Sequence, residues 1–193
     1  MIYYKHCTKL VLNVLMLLFA LSCKTEKPAT IITVPDTATT SHTIPKRLFY
    51  DSFPKPTGYV NDYEGLFTLS EKNELTGIIE EFKKETTVQI AILTFDSSMT
   101  TAAGMDALTV KVANEWAVGQ KDKENGIVIG ISKYYRRMRI ENGNGIAKIL
   151  SDAETKRIVD EDFIPSFKQG RYYDGVKRGV LLLMRKLREK YTA

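Results

Sequence analysis

Val88-Gln89-Ile90-Ala91-Ile92-Leu93-Thr94-Phe95 and Gly126-Ile127-Val128-Ile129-Gly130-Ile131-Ser132 are the two stretches that decide the fold. Each is a short, almost unbroken apolar run rich in β-branched residues, the mark of a strand covered on both faces. Outward from them the apolar period lengthens to that of a helix. Upstream, Thr68-Leu69-Ser70-Glu71 is a capping box followed by Leu75, Ile78, Ile79 and Phe82 on one face, which predicts a helix to about Lys84. Between the two runs, Met105, Leu108, Val112 and Trp116 line one side of a predicted helix over 102–116. Residues 135–141 read as a third strand joined to the second by a short Lys133-Tyr134 turn, which makes an antiparallel hairpin. Ser151-Asp152-Ala153-Glu154 is a second capping box, opening a helix expected to stop near Pro165. A last helix over 173–190 carries Val176, Val180, Leu183, Met184 and Leu187 in one stripe. This alternation predicts an α/β protein, a three-layer α/β/α sandwich around a small mixed β-sheet.

The chain has 193 residues, 44% of them hydrophobic, which suffices for one ordinary core and implies one domain with tails. The net charge of +5 is already carried by residues 171–193, so the rest of the surface is balanced. With no basic stripe interleaved with aromatics elsewhere, no nucleic-acid partner is expected. Two uses compete for the basic C-terminal helix: packing on the sheet, with its cations near its own terminal carbonyls, or drawing the domain onto anionic lipid. The two histidines, His6 and His42, both precede the folded region, which argues against a His-based triad or a His-rich metal site.

Lys5 and Lys9 precede an apolar run from Leu10 to Leu21, about half the length needed to span a bilayer, so this segment reads as a secretory signal. Its end, Ala20-Leu21-Ser22-Cys23, resembles a bacterial lipoprotein box, which implies cleavage and lipidation at Cys23. Cys7 would leave with the signal, so Cys23 would be the mature chain's sole cysteine, without an intrachain disulfide. Because Lys24 follows the cysteine, the resemblance favours an outer-membrane location in the cell envelope. Residues 23–56, rich in Thr, Pro, Ser and Lys, lack either period and read as a tether, with Leu48, Phe49 and Tyr50 as an edge contact. The expected division is therefore a signal peptide at 1–22, a lipid-anchored tether at 23–56 and a monomeric folded domain at 57–193.

Chemistry is expected at the strand ends, because open α/β sheets bind ligands beyond the carboxyl ends of their strands. Asp96 follows the first run, Glu141 ends the third strand, Asp152 opens a helix, and Asp62 lies in Gly58-Tyr59-Val60-Asn61-Asp62. Glu124 and Asn125 precede the second run and join the same crevice only if its neighbours run the other way. Oxygen groups without Cys or His suit a hard cation, so Asp62, Asp96, Glu124, Asn125 and Asp152 are candidate metal ligands. Gly143 and Gly145, in Glu141-Asn142-Gly143-Asn144-Gly145, are expected to shape the loop by adopting positive φ. Lys148 breaks the dinucleotide fingerprint that this Gly-x-Gly would otherwise begin. Arg137 offers a guanidinium to phosphate, although an alternating Arg-Met-Arg-Ile strand also reads as an edge with one wet face.

Gly58-Tyr59-Val60-Asn61-Asp62, Trp116-Ala117-Val118-Gly119, Lys123-Glu124-Asn125-Gly126, Arg137-Met138-Arg139-Ile140 with Gly143-Asn144-Gly145, and Leu150-Ser151-Asp152-Ala153 resemble, in order and spacing, the TPM-domain family. The resemblance covers about residues 56–186 and implies an α/β/α sandwich, exported or lumenal and often membrane-anchored. It further implies divalent-cation binding, calcium favoured and magnesium possible, and in a plant thylakoid member an acid phosphatase activity. Ala117 stands where the family often has Gly and Glu124 where it often has Asp, and neither change removes an oxygen ligand. Two functions follow: a cation-binding auxiliary module that docks on an unidentified envelope protein, or a metal-assisted phosphatase with Asp62 or Asp152 positioning water and Arg137 contacting phosphate. The first is preferred, because no Cys, His or paired motif supplies an activated nucleophile.

Overall fold

The computed structural model describes residues 53–191. The expected signal peptide, the expected lipidation site Cys23 and the expected tether up to residue 52, with its edge contact at Leu48, Phe49 and Tyr50, lie outside the described residues. Packing reaches back to Phe53, whose ring meets Tyr63, Phe95 and Trp116, while Trp116 Nε1 donates to the Pro54 carbonyl at 2.8 Å.

Four strands form one mixed sheet in the order β1 (Val60–Asp62), β2 (Gln89–Thr94), β3 (Gly126–Ser132) and β4 (Arg137–Asn142). β1, β2 and β3 run parallel, and β4 returns antiparallel to β3 with Ile129 opposite Ile140. The hairpin is as expected, but its turn spans 133–136. Arg136 closes it in the left-handed region at φ 51°, its N–H donating to the Lys133 carbonyl. β1 is the strand that apolar periodicity misses, since three residues set no period.

Alternation along the buried strands separates two cores. Ile90, Ile92, Ile127, Ile129 and Ile131 face the layer of α1 (Leu69–Thr86) and α6 (Tyr172–Tyr191), whereas Ala91, Leu93 and Val128 face α2 (Met105–Glu115). Helices on both faces make the α/β/α sandwich. Both capping boxes form: Thr68 with Glu71 opens α1, and Ser151 with Glu154 opens α4 (Asp152–Ile158). A four-residue helix, α3 (Asn144–Ala147), follows β4. Among the described residues, no helix is long and apolar enough to cross a membrane.

The helix from Ser151 ends near Pro165 as expected, two residues past it at Phe167, but it is not uniform. It widens into a π-helical segment, Val159–Phe163, and continues as α5 (Ile164–Phe167). Proline has no N–H to return to the carbonyl of residue 161. Arg178 of α6 supplies the missing donor, reaching the Glu161 and Asp162 carbonyls at 3.1 and 2.9 Å. The same interface depends on Gly179, where an added Cβ would lie 2.0 Å from the Phe163 ring.

In α6, Val176, Val180, Leu183, Met184 and Leu187 are all buried, so the stripe packs on the sheet. Its cations are tied to neighbouring acids: Lys177 to Glu74, Arg178 to Asp162, Arg188 to Glu85 and Lys190 to Glu154. Lys190 and the Ser151 cap hold the exposed Glu154 carboxyl down at about 2.

Candidate functional site

Strand direction sorts the candidate residues. Because β1, β2 and β3 are parallel, Asp62 and Asp96 lie at their carboxyl ends, while Glu124 and Asn125 lie beyond the opposite end of β3. The two ends are separated by about 20 Å, the length of a seven-residue strand. The antiparallel β4 carries its own carboxyl end, Glu141 and Asn142, to the Glu124 end. The five candidate ligands are therefore not brought together, and among the described residues no group of three or more Asp, Glu, His or Cys side chains is placed to hold a metal.

At the carboxyl end, the Asp62 carboxylate is engaged by its own chain. Leu66 N–H and the Thr94 hydroxyl donate to Oδ1 at 3.0 and 2.7 Å, and Phe67 N–H donates to Oδ2 at 2.9 Å. It fixes the turn from β1 into α1. Asp96 accepts from Ser98 N–H in a local turn of the Asx kind. Arg137 pairs with Asp106 of α2 at 3.1 Å.

At the opposite end, a cleft of about 390 Å³ opens between the end of α2, the loop 117–125 and the end of β4. Asn125 is the buried staple of this loop. Its Oδ1 accepts from Gln120 N–H at 2.8 Å, and its amide donates to the Thr87 carbonyl and hydroxyl. Ala117, Gly119 and Glu124 all hold positive φ, at 48°, 103° and 47°, so the loop is set by strained as well as glycine backbone. Glu124 accepts from the Asn144 amide at 2.8 Å, and Glu141 lines the same cleft while pairing with Arg139. Gln120 also lines it, and its Oε1 is buried without a hydrogen-bond donor among the described residues. Asn142 lines the same cleft and also has a buried oxygen without a donor among the described residues, while its amide donates to Thr155 of α4. Asp152, exposed at the start of α4, is not among the residues lining the cleft.

Gly143 and Gly145 shape the loop by a different means from the one expected. Gly143 has φ −61°, and Gly145 is not among the residues with positive φ. What requires glycine is close approach: a Cβ at 143 would lie 2.3 Å from the Glu124 carbonyl oxygen, and one at 145 would lie 2.0 Å from that of Lys123.

A second, larger cleft of about 880 Å³ lies at the carboxyl end, between the β3–β4 turn and the α5–α6 connection. Phe167 and Tyr172 stack at 4.8 Å on its floor, and Lys133 sits over the Tyr172 ring. The Glu64 carboxylate accepts from Lys133 N–H and Tyr134 N–H, both at 2.7 Å. Burial pushes the Tyr172 phenol above its usual range; Glu64 adds to this and Arg136 opposes it. Sequence reasoning missed Glu64, Gln120 and Tyr172. The partners of Glu64 are 68 to 70 residues away, so no local signal marks it.

A mixed four-stranded sheet between helical layers, with a polar cleft at one end and a larger, apolar-floored cleft at the other, defines the class. The family model for the TPM domain matches residues 60–186, and the chain belongs to that family. It is similar to the solution structure of the N-terminal domain of a P. gingivalis protein, at 29% identity and a TM-score of 0.61, covering 68% of this chain and 82% of that one. The BA42 protein of the psychrophilic bacterium Bizionia argentinensis shares the fold, at 19% identity and a TM-score of 0.57, covering 66% and 86%. No curated protein matches the chain.

Proposed function

We propose that this TPM domain binds a divalent cation, calcium before magnesium, in the cleft at the Glu124 end, and serves as a monomeric auxiliary module for other proteins of the cell envelope. The observation that supports the reading is the buried Gln120 Oε1, an acceptor without a donor among the described residues, in a cleft that also holds the carboxylates of Glu124 and Glu141. Two carboxylates and an amide oxygen are hard donors of the kind calcium takes, and calcium tolerates irregular geometry where magnesium demands an octahedron. Asn125, a candidate ligand on sequence, acts here through Gln120, whose main chain it holds.

Saturating calcium should raise the melting temperature, since binding to the folded state alone adds about 2.7 kcal/mol at a hundredfold excess over Kd. Glu124→Gln should lose most of that shift. A melting curve unmoved by calcium and magnesium, or an undiminished shift in the variant, would remove the site.

The phosphatase reading gains no support from the positions of its parts. Asp62 accepts from three donors of its own chain, Arg137 pairs with Asp106, and Asp152 lies away from both. In the envelope, anchoring is proposed through a lipid on Cys23, with the outer membrane as its place. Cys23→Ser should move the processed chain from the membrane fraction to the soluble one, and persistence with membranes would refute the lipid.

A further inference from the structure

The larger cleft is not used by the cation site and lies at the other end of the sheet. Three features define what it takes. Lys133, Arg136 and Lys168 line it and form no ion pair among the described residues, in contrast to the paired cations of α6; the carboxylate lining the same cleft, Glu64, is engaged by the Lys133 and Tyr134 N–H groups and is outnumbered by these cations. Its floor is apolar and recessed, made by Ile164 and the stacked Phe167 and Tyr172. Tyr134, at its mouth, is 68% exposed, one of the few large hydrophobic side chains left in solvent.

A bare anion has no use for an aromatic floor, and a flat bilayer cannot reach a recessed one. A protruding apolar side chain flanked by carboxylates satisfies both. The edge strand supplies the third element: β4 pairs with β3 alone among the described strands, and its first residue, Arg137, also lines the cleft. An edge strand can accept an extended segment by main-chain pairing.

We infer that this cleft docks an extended acidic segment of a partner protein, placing an aromatic or large aliphatic side chain on Phe167 and Tyr172 and its carboxylates against Lys133, Arg136 and Lys168. The inference rests on the interaction role proposed above and names the partner's chemistry. Its residues are remote from Glu124, so peptide binding and calcium binding are lost by different variants and read separately.

The test uses the full chain and a dye-labelled, blocked peptide Glu-Glu-Phe-Glu-Glu, followed by fluorescence anisotropy at low and high salt. Saturable binding is expected, weakened at least about tenfold when Phe is replaced by Gly in the peptide, because burying such a ring is worth more than one decade in affinity. The variant carrying Lys133→Gln, Arg136→Gln and Lys168→Gln should weaken binding about tenfold or more at low salt and less at high salt, with an unchanged melting temperature. Tyr134→Ser, a change at an exposed site, should weaken it several-fold. Lys168→Glu should gain affinity for the matching Lys-Lys-Phe-Lys-Lys peptide. Absence of binding, equal binding of the Phe-free peptide, or a triple variant that binds like the parent would overturn the inference. Displacement by inorganic phosphate at equal concentration would replace it with a simple anion site. Tighter binding to phosphatidylglycerol vesicles through the same residues would replace it with a membrane contact.

Discussion

Replacing Phe163 with alanine should remove about 3–5 kcal/mol of folding free energy, the usual cost of deleting a buried aromatic ring. The ring is fully buried and fills the notch left by Gly179 on α6, at the point where the π-helical segment meets that helix. Little can relax into the space, because Gly179 has no side chain to extend and Arg178 pins the adjacent carbonyls. Against a total stability of about 5–15 kcal/mol for a domain of this kind, the loss is large. It corresponds to a fall in melting temperature on the order of 10–20 °C. The consequence extends to the larger cleft, because Phe163 meets Phe167 edge to face at 6.1 Å and Phe167 carries the stacked Tyr172. Thermal unfolding followed by circular dichroism gives the number. A loss below about 1 kcal/mol would show that the notch collapses on itself and that the packing argument is wrong.

Where structure is made by neighbours in the chain, the sequence is explicit. β3 has the limits its apolar run marks, and both capping boxes close as their spacing requires. β1 escapes notice because it is a strand only through pairing with Ile92, Leu93 and Thr94, some thirty residues on. Pro165 marks the end of its helix only to within two residues, for a related reason. A proline predicts a stop when its missing hydrogen bond has no substitute, and the substitute here comes from Arg178 on another helix. The site is harder to read than the fold. Asp62 and Asn125 carry the right atoms for a cation, but whether those atoms are available depends on Thr94 and Thr87, which only the folded chain brings to them. The orphaned oxygen of Gln120 has no signature in sequence at all, since the absence of a donor is a property of the packed loop.

Asp62→Ala separates these two kinds of residue. The alanine leaves Leu66 N–H, Phe67 N–H and the Thr94 hydroxyl without the acceptor they share. Each hydrogen bond to a charged group is worth about 1.5–3 kcal/mol net, and with the non-additivity of a shared acceptor the total should come to about 3 kcal/mol. Asp62→Asn keeps one acceptor oxygen and should cost less. Thr94 couples the loss onward, because its hydroxyl oxygen also accepts from Glu64 N–H at 2.8 Å, and the Glu64 carboxylate holds the β3–β4 turn. The calcium-induced rise in melting temperature should nevertheless persist in both variants, since the Glu124 cleft lies at the far end of the strands. Thermal unfolding of each variant with and without calcium reads both quantities. If stability were hardly changed and the calcium response vanished, Asp62 would be a metal ligand, and the cation site would belong at the carboxyl end of the sheet.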